Sequence, residues 1–190
     1  MANIVIKVII TIIVVSLAEV STLANCREKR IINIDTIITD SVHEAVCLKL
    51  LEFDKIDPNL PIEIIINSAG GSAYAALGIL DMIEIISSPI YTECNGMAAS
   101  AAAIILASGK KGHRIASSNS RIMIHHAYSN DSPDAVELAK VDDELMSLIS
   151  KYTGKEKKQI LTDISTTAGG DLWLSSKEAL DYGIIDFLYE

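Results

Sequence analysis

From Arg30 onward, the chain alternates between short runs of β-branched residues and segments whose apolar residues recur every three or four positions. The short runs predict strands at 30–34, 62–66, 90–94, 113–116, 121–125 and 184–188. The periodic segments predict helices from a capping box at 41–44, over 72–86 and 98–108, from 132 to Gly154, over 155–164, and from a second capping box at 175–178 to Gly183. Strands and helices in alternation predict an α/β domain with parallel strands and right-handed crossovers.

The helix predicted from residue 132 is the longest of the series. Pro133 at its first helical position fits the preference of proline for helix starts. Its spacing predicts a buried stripe of Val136, Ala139, Leu145, Leu148 and Tyr152.

Residues 1–29 carry a different pattern, because residues 4–18 are almost continuously apolar and are interrupted only by Lys7, Thr11 and Ser16. This run is shorter than the roughly 20 apolar residues of a membrane-spanning helix, but it fits the hydrophobic region of a secretory signal peptide. A signal, a membrane anchor and a buried oligomer-contact arm are the interpretations that stay open. We expect export or membrane association through residues 4–18, with a cytoplasmic location as the alternative, and a separate domain over residues 30–190.

Composition narrows the class of protein. The 190 residues are 49% hydrophobic with a mean hydropathy of +0.33, which excludes a disordered chain. The net charge of −9 argues against nucleic acid as the main partner, because phosphate binding needs a basic face. The three cysteines form an odd number without a C-x-x-C pair, which argues against a disulfide framework and a structural zinc site.

Two strand-to-helix turns carry the small residues that suit a catalytic site. Gly70 and Gly71 let the backbone approach a ligand and direct N–H groups at an oxyanion, and no lysine follows as in a phosphate-binding loop. Ser100 lies among very small side chains at 96–101, where the start of a helix favours developing negative charge. The alternatives are an ordinary glycine turn and a serine that caps the helix.

His125 and Asp171 are candidates for a base and the group that orients it. His125 ends an apolar strand, and the alternation of a strand places His126 on the opposite face. Asp171 follows two glycines just before apolar residues, although a solvated turn aspartate is the more frequent role. Serine, histidine and aspartate, each at a strand or loop end, form the set that nucleophilic catalysis requires.

These motifs resemble the proteolytic subunit of the Clp protease, the ClpP family of serine peptidases, over most of the chain. The segments Asn-Ser-Ala-Gly-Gly, Gly-Met-Ala-Ala-Ser, Arg-Ile-Met-Ile-His and Asp-Leu-Trp-Leu-Ser are similar to four ordered motifs of that family. The resemblance implies Ser100 as nucleophile, His125 as base and Asp171 as the residue that orients it. It also implies that the backbone N–H groups of Gly71 and Ala101 form the oxyanion hole.

The resemblance further implies a spiral of ββα units with a helical handle, assembled as a homo-oligomer of sevenfold rings. The activity implied is serine endopeptidase hydrolysis of unfolded proteins or peptides, without a metal or organic cofactor. If the chain is cytoplasmic, an ATP-driven AAA+ unfoldase is the implied partner, since the chain itself has no Walker motif.

Some positions depart from the family pattern. Ala69 replaces proline, Ala101 replaces methionine, and Gly169 and Gly170 stand where Asp-Arg is usual. The stretch from His125 to Gly154 is shorter than usual by roughly two helical turns, so we expect a shortened handle. These departures bear on ring stacking and peptide affinity.

The alternatives to a ring peptidase with an ATPase are of several classes. One is a non-catalytic ring or scaffold subunit, and another is an exported peptidase that works without an ATPase. An acyl-CoA enzyme of the crotonase type would share the spiral and the oxyanion hole but would not need the serine, histidine and aspartate. A signal-peptide peptidase would use a serine and a lysine instead.

Overall fold

The computed structural model describes residues 30–128 and 134–189, which contain seven strands and six helices. The strands are β1 (Ile31–Ile34), β2 (Ile62–Ser68), β3 (Ile90–Ala99), β4 (Arg114–Ser117), β5 (Arg121–His125), β6 (Asp171–Ser175) and β7 (Phe187–Tyr189). The helices are α1 (Asp40–Ile56), α2 (Ala73–Ile85), α3 (Ala101–Ala107), α4 (Ala135–Thr153), α5 (Lys157–Ser165) and α6 (Ser176–Tyr182). The predictions for residues 4–18 and for Pro133 lie outside the described residues.

The sheet has the order β1-β2-β3-β4-β7, and β5 and β6 extend from β3 beside this path. The pairs β2–β3, β3–β4, β3–β5 and β4–β7 are parallel, so the predicted α/β fold with mainly parallel strands is confirmed. Strand β3 pairs with β4 at Thr92–Cys94 and with β5 at Met97–Ala99. Its last residues therefore connect two parts of the sheet directly before Ser100.

Isoleucine and alanine make up most of the core, which explains how a chain with only 5% aromatic residues fills its interior. The side chains of Ile62, Ile64 and Ile66 in β2 are fully buried on one face of the sheet. All seven residues of α3 are buried as well, because four alanines allow this short helix to pack closely between its neighbours.

The long helix α4 differs from the prediction at its N-terminal half. Asp134 caps it by accepting a hydrogen bond from the Val136 N–H at 2.9 Å. Val136 and Ala139 are exposed, contrary to the predicted stripe. The buried stripe begins a turn later, with Val141, Leu145, Met146 and Ile149. Gly154 ends the helix in the left-handed conformation, as predicted.

Other boundaries also needed correction. Thr39, not Ser41, caps α1, because the Thr39 backbone is extended and its hydroxyl accepts the Val42 N–H. The predicted helix over 98–108 begins at Ala101, since the preceding residues pair with β5 as part of β3. The capping box at Ser175 is confirmed. The final strand lies over 187–189 rather than 184–188.

No helix within 30–128 and 134–189 is long and apolar enough to cross a membrane.

Candidate functional site

Ser100 lies between β3 and α3 in an unusual backbone conformation. Its φ of 56° and ψ of −126° make it the one non-glycine residue with positive φ in the described parts of the chain. It occupies the N-cap position of α3, yet its side chain makes no capping hydrogen bond. Such strain persists only where the surroundings hold the residue, and it is typical of functional sites. The hydroxyl is therefore not used to cap the helix that follows.

His125 reaches Ser100 because their strands are neighbours. The Ser100 N–H donates to the Met123 carbonyl oxygen at 2.8 Å, which continues the β3–β5 pairing beyond Ala99. Two residues further along β5, His125 Nε2 lies 2.7 Å from Ser100 Oγ. This is hydrogen-bond distance for a nucleophile and its base.

The surroundings of His125 favour the neutral imidazole. Burial lowers its pKa below the usual 6.5, and this effect exceeds the opposing influence of the Asp171 charge. His126 lowers the same pKa further, and Asp142 raises it. A neutral ring with its proton on Nδ1 can accept the proton of the Ser100 hydroxyl at Nε2.

Asp171 lies directly opposite His125 in the antiparallel pair of β5 and β6. Directly opposite residues of such a pair have neighbouring side chains on one face. The closest atoms, His125 Nδ1 and Asp171 Oδ1, are 3.8 Å apart, which is longer than a hydrogen bond. The structure thus brings Ser100 and His125 into contact and leaves Asp171 near but not bonded. Asp171 opens a strand, where the sequence had predicted a loop.

The glycine turn packs directly against Ser100. Gly70 has a φ of 89°, and a Cβ atom there would lie 2.6 Å from the Ala99 carbonyl oxygen and 2.8 Å from the Ser100 Cβ. Gly71 forms a bridge with Ile38, whose N–H donates to the Gly70 carbonyl and whose carbonyl accepts from the Ser72 N–H. Within the described residues, the N–H groups of Gly71 and Ala101 have no hydrogen-bond acceptor.

A cavity of about 460 Å³ adjoins these residues. Ser100, His125 and the glycine turn form part of its wall, and most of the rest is apolar. Its apolar lining includes Ile37, Ile104, Met123, Leu145, Met146 and Ile149. Among the residues that the structure describes, no Asp, Glu, Lys or Arg lines it, so this wall suits an uncharged, apolar group next to the hydroxyl.

Sequence reasoning missed two residues beside the site. The Tyr128 ring lies 5.3 Å from the His125 ring, tilted by 58°, and also lines the cavity. Asp142 on α4 binds the two residues that follow His125. A carboxylate one turn before the buried Leu145 and Met146 was the available signal, because it interrupts the apolar face of the helix.

No group of three or more His, Cys, Asp or Glu side chains that could hold a metal ion occurs in the described ranges.

Comparison with known proteins gives consistent matches over most of the chain. The family model described as Clp protease matches residues 17–190. The ATP-dependent Clp protease proteolytic subunit of Porphyromonas gingivalis is 36% identical over 182 residues, covering 92% of this chain and 80% of the relative. The subunit of the same name from Bacteroides fragilis is 39% identical over 164 residues, covering 83% and 77%. That of Bacteroides thetaiotaomicron is 38% identical, covering 83% and 73%.

Proposed function

Since this chain belongs to the Clp protease family of serine endopeptidases, we propose that it hydrolyses peptide bonds through Ser100, His125 and Asp171. The observation that carries the proposal is the 2.7 Å contact between Ser100 Oγ and His125 Nε2 in the wall of a mainly apolar cavity. The strained φ of Ser100 supports it, because a serine that served only the fold would gain nothing from that conformation.

Ser100 Oγ attacks the scissile carbonyl carbon, and His125 Nε2 takes the hydroxyl proton as the C–O bond forms. His125 then gives this proton to the departing amine as the C–N bond breaks, which leaves an acyl-enzyme. Water, deprotonated by His125, then attacks the ester carbonyl carbon. His125 returns the proton to Ser100 Oγ as the ester C–O bond breaks and the new carboxyl end of the peptide leaves. Asp171 holds the imidazole with its proton on Nδ1, and substrate binding or assembly shortens the 3.8 Å separation to a hydrogen bond.

The N–H groups of Gly71 and Ala101 bind the oxyanion of the tetrahedral intermediate. Their lack of acceptors among the described residues supports this role, because both are available to a ligand. Gly71 follows the turn that packs on Ser100, and Ala101 begins α3, so the two donors flank the nucleophile from different elements. Fixed donors of this kind typically contribute 10²–10³ in kcat each.

The substrate is an extended polypeptide with an apolar side chain next to the cleaved bond. That side chain enters the cavity lined by Ile104, Met146 and Ile149, because the described lining residues include no Asp, Glu, Lys or Arg that would pair with a lysine or an acidic group. The peptide backbone pairs with an exposed strand edge, which explains how one site can act on many sequences.

The working form is a homo-oligomeric ring, with heptamers as the expected unit. Relatives carry the name proteolytic subunit of an ATP-dependent protease, which supports assembly and, if the chain is cytoplasmic, an AAA+ unfoldase partner. Native mass determination tests the ring directly. A mass near seven times 20.5 kDa, or twice that for stacked rings, is expected, and a monomer with full peptidase activity would contradict it.

Location decides whether an ATPase can serve as partner. We propose export or membrane association through residues 4–18, because so long an apolar run is rarely left on a soluble surface. A reporter that is active only outside the cytoplasm, fused to residues 1–30, should give signal. In that compartment the enzyme would act without an ATPase on peptides or loosely folded chains. A silent reporter together with a soluble, unprocessed full-length chain would instead support a cytoplasmic ring with its unfoldase.

Substitution of Ser100 by alanine tests the proposed chemistry. The change removes one hydroxyl, so the assembly mass and circular dichroism should match those of the wild type. Hydrolysis of a fluorogenic peptide with an apolar residue before the cleaved bond should fall on the order of 10⁶-fold in kcat. Turnover within tenfold of the wild type would contradict the proposal.

A further inference from the structure

Asp142 makes two hydrogen bonds to the chain that directly follows His125. Its Oδ1 accepts the Ala127 N–H at 2.7 Å, and its Oδ2 lies 2.8 Å from His126 Nδ1. The Asp142 side chain is 21% exposed, so the carboxylate is largely withdrawn from water. Hydrogen bonds to an ionised carboxylate are among the stronger ones in proteins. Asp142 therefore ties α4 to the end of β5.

These two hydrogen bonds lie just beyond the end of the pairing of β5 with its neighbouring strands. The last register pair of β5 joins His125 to Asp171, and the pairing with β3 ends earlier, at Met123. A backbone N–H beyond the end of a ladder needs another partner, and for Ala127 that partner is Asp142. Ala127 also lines the cavity beside Ser100.

Resting on the function proposed above, we propose that Asp142 is a positioning residue for peptide hydrolysis, which clamps the chain after His125 to helix α4. The clamp holds the imidazole against Ser100 and keeps Ala127 in the cavity wall. Helix α4 is itself fixed, because Leu145 and Met146, one turn beyond Asp142, are buried and line the same cavity. One turn of α4 thus positions both the base and the pocket.

The neighbouring residue supplies a matched control. Asp143 stands next in the same helix, but its side chain is 71% exposed and pairs with Lys157 at the surface. Asp142→Asn keeps the shape and an acceptor for the Ala127 N–H while removing the charge. Asp142→Glu keeps the charge but moves the carboxylate outward by one methylene. Comparison of Asp142→Asn with Asp142→Glu therefore separates the effect of the carboxylate's position from the effect of its charge.

The experiment measures kcat and KM for a fluorogenic peptide and the rate at which a fluorophosphonate probe labels Ser100. Native mass and thermal unfolding report folding. Asp142→Ala should lower kcat and the labelling rate by about 10- to 100-fold, because a misplacement of the base by about 1 Å costs on that order. Asp142→Glu should lose about tenfold and Asp142→Asn at most threefold. Asp143→Ala should stay within twofold of the wild type.

The pH profile supplies a readout that a merely structural role would not move. The Asp142 charge raises the pKa of His125, Asp171 acts in the same direction, and burial and His126 oppose them. Removing the charge in Asp142→Asn lowers this pKa. The acid limb of kcat/KM, where the base becomes protonated, should therefore move to lower pH. Asp143→Asn should leave the limb in place.

Kinetics of Asp142→Ala and Asp142→Glu within twofold of a folded wild type would overturn the inference. A larger loss in Asp142→Asn than in Asp142→Glu would also overturn it, because charge rather than position would then matter. The order of the losses in Asp142→Asn and Asp142→Glu tests the inference even if Asp142→Ala does not fold. A wild type that labels at Ser100 while its Asp142 variants behave normally refutes the clamp alone, whereas a wild type that never labels refutes the proposed chemistry.

Discussion

Two double-glycine turns flank the candidate site, and they differ in how firmly the fold holds them. Side chains at Gly70 and Gly71 would collide with the backbone of Ala99 and Ile38. At Gly169 and Gly170, beside Asp171, an added Cβ would meet nothing within 4 Å. The first turn is therefore packed against neighbouring backbone, while the second needs glycine only for its left-handed backbone.

The residues beside the two turns differ in the same way. We call the side at Gly70 and Gly71 the packed side, and the side at Gly169 and Gly170 the open side. On the packed side, Ser100 and His125 touch at 2.7 Å, and the His125 side chain is only 13% exposed. On the open side, Asp171 is 46% exposed and 3.8 Å from the imidazole. In the proposed mechanism, Ser100, His125 and the glycine turn are thus held in place before the substrate binds. Asp171 is placed by the register of β5 and β6 alone, and in the proposed mechanism substrate binding or assembly completes its contact with His125.

The largest expected effect is on the packed side, at the base. His125→Ala should lower kcat about as far as loss of the nucleophile, on the order of 10⁶-fold, because members of a triad act as a unit. His126→Ala, at the residue that directly follows β5, is the matched control. It should cost at most threefold, since Asp142 still holds the Ala127 N–H. If His126→Ala proves to be the inactive variant, the assignment of the base is wrong.

Asp171→Asn tests the open side. It should lower kcat by on the order of 10³–10⁴-fold, because an amide holds the imidazole in the wrong tautomer. The Asp171 charge raises the pKa of His125, so its removal should also shift the acid limb of kcat/KM to lower pH. A pH–rate series on wild type and variant measures both effects. Unchanged kcat would mean that the 3.8 Å separation persists during turnover.

Alanine substitutions in the two glycine turns compare the sides directly. Gly71→Ala must displace the Ile38 backbone, which should cost about 2–5 kcal/mol of stability and, through a shifted N–H, on the order of 10²-fold in kcat. Gly170→Ala meets open space and should cost only about 1–2 kcal/mol for its positive φ. Urea unfolding and peptide kinetics of both variants give the comparison. Equal losses would show that the packed turn has no special role.

The smallest effect concerns the cavity. Ile104→Val removes one buried methylene from its wall and should cost about 0.5–1.5 kcal/mol of stability. Peptides with a larger apolar residue before the cleaved bond should gain in kcat/KM relative to smaller ones, because the pocket widens. A panel of peptides that differ at that residue measures the ratio, and an unaltered ratio would place the specificity pocket elsewhere.

Sequence reasoning succeeded where local chemistry decides the structure. Residue type at strand ends points to Ser100, His125 and the glycine turn as candidates, and the structure brings Ser100 and His125 into contact. Their catalytic roles stay predictions. The predicted helix over 98–108 was wrong at its start, because alanines favour a helix but the sheet pairs Met97–Ala99 as strand. Tertiary pairing outweighed local propensity at that point.

Other features depend on contacts between distant segments, which periodicity does not report. Strand β6 was missed because it exists through pairing with β5, and that register alone sets the distance from Asp171 to His125. Asp142 was missed because its partners lie 15 and 16 residues away on another element. The role of Asp171 in orienting His125 stays a prediction.

The most direct test of a preorganised serine and histidine is the pH dependence of fluorophosphonate labelling in the wild type, with the adduct located by mass spectrometry. The reaction needs no peptide backbone pairing, so it reports the nucleophile and its base alone. We expect a single adduct at Ser100, a rate that falls as pH drops through a midpoint below 6.5, and no labelling in His125→Ala. An adduct on another serine, or a rate that does not change between pH 5 and pH 8, would contradict the account.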